Sequence, residues 1–156
     1  MLIVKFVHVL SVTLWIGGAV AAFAVATSTR GQAAPVRAAG WPLLARIHGF
    51  VIAPGAIAAV LTGLILTMQL TSRGMGAMLM NPGILGMQFA GLLSGTLVVF
   101  VGVPTANQLA AMSGRIESDV MPAPAERLRR RQAVVSTLAG VFAILALFMA
   151  EVVRYL

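Results

Sequence analysis

Four long apolar runs make up most of the chain, and the polar residues fall largely into the gaps between them. Residues 2–27, 43–70, 84–109 and 133–156 each exceed the ~20 residues that a helix needs to cross a bilayer. None shows the sustained apolar–polar alternation of a half-buried strand. The pattern therefore predicts an all-α protein, a single integral membrane domain over residues 1–156 forming a four-transmembrane-helix bundle. The connector from Ser28 to Pro42 carries Arg30, Arg37, Pro35 and Pro42, with Trp41 expected at the membrane interface. A kink is expected at Pro54-Gly55, and a bend at Pro104. Gly91 and Gly95 have the spacing that lines two glycines on one helix face for a tight contact. No convincing internal repeat emerges.

Composition narrows the class. At 60% hydrophobic and 10% charged, the chain lies far from the roughly one-quarter charged residues of soluble domains. It contains no cysteine, which removes disulfides, thiolate metal sites and thiol catalysis, so a metal would need His, Met or carboxylate ligands. The net charge of +7 comes from arginines grouped between apolar runs, where membrane topology accounts for it without nucleic acid.

Arg30, Arg37, Arg115, Arg127, Arg129, Arg130 and Arg131 lie in the connectors after the first and third helices, against Arg73 alone after the second. Positive connectors stay cytoplasmic, so the N and C termini are expected on the outer, periplasmic side of a bacterial inner membrane. Arg129, Arg130 and Arg131 read as a topology anchor that contacts anionic lipid headgroups. The first run carries His8 and Trp15 and lacks a small-residue cleavage site before a polar domain, so it reads as a mature helix.

The candidate chemistry begins with Lys5 and His8. At about 100° per residue they share a helical face with Val12, Trp15 and Ala19. Ionisable groups inside a span are functional candidates by default. His8 suits an axial haem ligand or a soft-metal ligand, and equally a buried histidine bonded to a carbonyl or to Gln88. Depth separates two polar groups: Lys5, His8, Met68, Gln69, Met87, Gln88, Glu151 and Arg154 toward the outer face, and Arg46, His48, Thr105, Asn107 and Gln108 toward the inner. Lys5 with Glu151 is a candidate interhelical ion pair, with Glu151 to Arg154 as the alternative. A bis-histidine site from His8 and His48 meets an obstacle, since the two enter from opposite faces and differ by roughly 12 Å in depth; His48 reads as an interfacial residue beside Arg46. Met75, Met78 and Met80 form a loop of soft thioethers on the His8 side, suited to copper(I), or else a short surface segment.

Lys5-x-x-His8 with Trp15 and Gly18 resembles the first helix of two four-helix membrane families, the membrane protoporphyrinogen oxidases and the copper-resistance protein D family. Ile52-Ala-Pro54-Gly55, Leu61-Thr62-Gly63 and Val103-Pro104 are similar to an uncharacterised bacterial integral membrane family of the same size, over most of the chain. The resemblance implies a haem-facing stripe of Lys5, His8, Trp15 and Gly18. Three functions follow as expectations: a b-type haem protein for electron transfer or haem handling, with His8 as ligand and His48 as a more distant candidate; a copper(I) protein using His8, Met75, Met78 and Met80; or a non-catalytic accessory or scaffold subunit. The glycine-rich faces leave room for a membrane protein partner or a homo-oligomer.

Overall fold

The computed structural model describes residues 2–72, 74 and 80–153. Among the described residues every regular element is helical and there is no strand. Four rods form. The first is α1 (Leu2–Ser28); the second is α2 (Ala34–Ala39), α3 (Trp41–Ile47), a π-turn (His48–Ile52) and α4 (Ala53–Ser72). The third is α5 (Pro82–Leu97), a π-turn (Val98–Gly102), α6 (Val103–Met112) and a 3₁₀ turn (Ser113–Arg115), and the fourth is α7 (Ala123–Val152). All four are long and apolar enough to cross a membrane. Hydroxyls inside them bond backward: Ser11 donates to Val7 O at 2.7 Å and Thr105 to Val101 O at 2.7 Å, so neither donor needs water.

The rods outrun the apolar stretches. α7 starts ten residues before Ala133, because hydropathy marks what must lie in lipid and not where helical hydrogen bonding ends. Pro124 sits in its first turn, where a missing N–H is harmless. Glu126 then braces Arg129 at 2.7 Å and Arg130 at 3.1 Å, one turn on. In the first connector α2 folds under the bundle, and Trp41, expected at the interface, is only 4% exposed. It packs with Ala34, Ala38, Leu109, Ile116 and Ala125 into a small second core that closes the connector end.

The irregularities expected at the prolines take a defined form. Pro54 and Pro104 are the second residues of α4 and α6, each directly after a π-turn. Proline has no N–H to give and its ring crowds the carbonyl four residues back, so the wider i→i+5 turn relieves both. The two segments also match, Phe50-Val-Ile-Ala-Pro54 with Phe100-Val-Gly-Val-Pro104. The shared residues are Phe, Val and Pro, and the two π-turns lie against each other.

Packing pairs the rods into two hairpins. α1 lies on the second rod, where a Cβ on Gly55 would stand 2.9 Å from the Trp15 backbone nitrogen and one on Gly18 would stand 2.9 Å from Ile52. α5 lies on α7, where a Cβ on Gly83 or Gly86 would come within 2.8 to 3.1 Å of Val153 or Met149, and Ser94 Oγ donates to Ala139 O at 2.6 Å. Gly91 and Gly95 do not mark one shared contact: Gly91 faces Ala146 of α7 and Gly95 faces Val60 of α4. The hairpins join at the connector end, through α3 with α6 and the two π-turns. α1 meets α7 sparsely and hardly touches α5, and an apolar cavity lined by all four rods remains between the pairs.

Candidate functional site

His8 lies two turns into α1, on the side that packs against α4. Its Nδ1 stands 3.0 Å from Ala59 O and 2.9 Å from Thr62 Oγ1. A carbonyl only accepts, and the Thr62 hydroxyl spends its one hydrogen on the carbonyls of Ala58 and Ala59. Both partners therefore act as acceptors, and in the neutral ring the proton resides on Nδ1. Nε2 is left with a lone pair and has no hydrogen-bond partner among the described residues. Gly63 makes room for this arrangement, since a Cβ there would stand 3.3 Å from His8 Cε1.

The ring borders a cavity of about 410 Å³ whose walls come from α1, α4, α5 and α7. Trp15, Val12, Val60 and Leu92 are among its apolar lining, with Met87 and Gln88 on the α5 side. Gln88 is tied across to α4, its amide nitrogen donating to Thr67 Oγ1 at 2.9 Å. A smaller cavity of about 180 Å³ lies beside the first, and His8, Gly63, Met87 and Ala150 line both.

The other expected site residues sort themselves by position. Trp15 is buried and walls the cavity. Lys5 is exposed one turn before His8 and does not line it. Gly18, one turn beyond Trp15, is a packing glycine against Val51 and Ile52, and it does not line the cavity either. His48 opens the first π-turn, eleven residues before Ala59 on the same rod, or about 16 Å along it. Both its nitrogens are engaged: Nδ1 donates to Leu44 O at 2.9 Å, and Nε2 accepts from Gln132 Nε2 at 2.9 Å. It is buried between the second and fourth rods, while Arg46 is exposed. The structure thus does not bring the two histidines together.

Met80 is exposed, and Met75 and Met78 lie outside the described residues, as does Arg154. Among the described residues no cluster of three His, Cys, Asp or Glu side chains forms. The ion pairs between described residues both involve Glu126, and Lys5 with Glu151 is not among them. Arg129 grips both Glu126 oxygens, Nε and Nη2 each at 2.7 Å, while Arg130 and Arg131 are exposed. Sequence reasoning gave Thr62 and Gly63 no place in the site. The available signal was a hydroxyl and a glycine adjacent in an apolar helix, which gains meaning only when α1 docks. Compared with models of known families, with curated proteins and with solved structures, the chain matches none.

Proposed function

We propose that the protein is an integral membrane binding protein for a b-type haem or related tetrapyrrole, held through His8 Nε2 and serving electron transfer or haem handling. The observation that carries this reading is the state of the His8 ring. Nδ1 is anchored to a backbone carbonyl and a threonine, the other nitrogen is unpartnered among the described residues, and the residue lines an apolar cavity. Metal-ligating histidines are typically oriented in this way, with the second ring nitrogen donating to a carbonyl or carboxylate. A volume of about 410 Å³ lies within the roughly 300–1,000 Å³ of small-molecule and cofactor sites.

The residues present fit such a group. Trp15, Val12 and Leu92 offer apolar surface to a macrocycle, and Lys5, exposed one turn before the ligand, offers its ammonium to a propionate at the rim. A bound haem would supply one-electron chemistry. The chain's own residues hold and orient it: Ala59 and Thr62 fix the imidazole, Gly63 clears its edge, and the apolar walls keep water away. Copper(I) at His8 is the second reading, favoured by the Met87 thioether on the same cavity; a bare ion would leave most of that volume unfilled. The arginine distribution supports a bacterial inner-membrane protein with its termini outside, and the exposed Arg130 and Arg131 suit anionic headgroups.

The test is an absorption spectrum of protein purified from membranes of cells supplied with haem precursor. A Soret band in wild type that is lost in His8→Ala, with helix content unchanged, is the expected result. A haem-free wild type that also fails to take up added haem would overturn the proposal.

A further inference from the structure

A ligand on one face of a haem leaves the opposite face to be filled, and the cavity restricts what can fill it. We infer that Met87, through its thioether sulfur, is the second axial ligand of the tetrapyrrole that His8 holds; this rests on the haem reading above. Met87 is half-buried on α5, the helix that faces α1 without packing on it. Of the methionines among the described residues it is the one that lines the cavity, and like His8 it lines the smaller space as well.

Its place on α5 follows from the packing glycines. Gly83 and Gly86 press α5 onto α7, where a Cβ on Gly86 would stand 3.1 Å from Met149. Met87 follows Gly83 by four residues, about 40° around the helix, so it stays beside the seam with α7 and lines the cavity there together with Ala146 and Ala150. The other outer-side groups are less suited. Gln88 commits its amide nitrogen to Thr67. Lys5 is exposed, and Gln69, whose Oε1 is buried without a partner among the described residues, does not line either cavity. His48 lies about 16 Å along the second rod with both nitrogens bonded. A flexible, soft thioether reaches an iron from an apolar wall without leaving a charge behind, and His–Met ligation raises the potential of a haem.

The experiment compares wild type, Met87→Leu and Met87→His, each purified in detergent and loaded with haem. In ferric wild type the expected signature is a low-spin haem with a methionine-sulfur-to-iron charge-transfer band. Met87→Leu conserves volume, and it should lose that band, become high-spin and open the ferrous iron to carbon monoxide. Met87→His should stay low-spin without the band and have a lower midpoint potential. Haem bound by wild type with no sulfur band, or an unchanged Met87→Leu spectrum, overturns the Met87 assignment while leaving His8 in place. Wild type that binds no haem overturns both. Absence of the wild-type band overturns the Met87 assignment even if a variant fails to fold.

Discussion

The two histidines differ in what remains after their hydrogen bonds are counted. His48 has used both nitrogens, one on Leu44 and one on Gln132, so it fastens the second rod to the fourth. His48→Ala should cost about 1–3 kcal/mol through the lost hydrogen bond to Gln132 and a cavity, read as a lower melting temperature in detergent, while any Soret band stays unchanged. A lost Soret band with intact stability would contradict this division of roles. His8 has used one nitrogen only, and its placement depends on Gly63. Adding a Cβ at 3.3 Å from the ring edge forces the imidazole aside by a few tenths of an ångström. Gly63→Ala should therefore weaken haem binding roughly tenfold, or ~1.4 kcal/mol, in a titration followed by absorbance; unchanged affinity would show that the ring position is not limiting.

Among the elements, the helix pairs hold together through glycines that admit a neighbouring backbone. Gly55 is the closest case, since a Cβ there would lie 2.9 Å from Trp15 N and 3.0 Å from Ser11 O, where neither backbone atom can step back. Gly55→Ala should destabilise the α1–α4 pair by about 1–3 kcal/mol, measurable as a shift in denaturant midpoint; a neutral result would mean that the pair is looser than this contact implies. The four long apolar helices were legible in the sequence because each run is long enough to match the thickness of a bilayer and exceeds what a soluble core helix needs. Their extents were not, since charged residues such as Glu126, Arg129 and Arg130 continue a helix beyond the apolar run by pairing along it. The prolines pointed to irregularity, but only the structure shows two π-turns side by side, and the Phe-Val-x-x-Pro match is too short to stand out in apolar sequence. The burial of Trp41 was not legible for a related reason: the fold of α2 that covers it depends on contacts distant in sequence. His8 was legible as an ionisable group in an apolar run. Its partners Ala59, Thr62 and Gly63 were not, because alanine, threonine and glycine are ordinary in any packed membrane helix.

At the scale of the molecule, two helical hairpins are clamped together at one end by α3, α6 and the π-turns and hold a cavity between them toward the other. If the arginine-rich connectors are cytoplasmic, single cysteines placed in this cysteine-free chain will report it. Gln32→Cys and Ser118→Cys should resist a membrane-impermeant thiol reagent in intact cells, and Ser72→Cys should react. The reverse pattern would invert the topology and put the His8 cavity on the cytoplasmic side. The central claim, that His8 is poised to hold a tetrapyrrole, is tested most directly by titrating haem into the haem-free protein and into His8→Ala under the same detergent conditions. Saturation at one haem per chain in wild type, and none in a folded His8→Ala, is the predicted result; equal binding by the two proteins, or binding by neither, would contradict it.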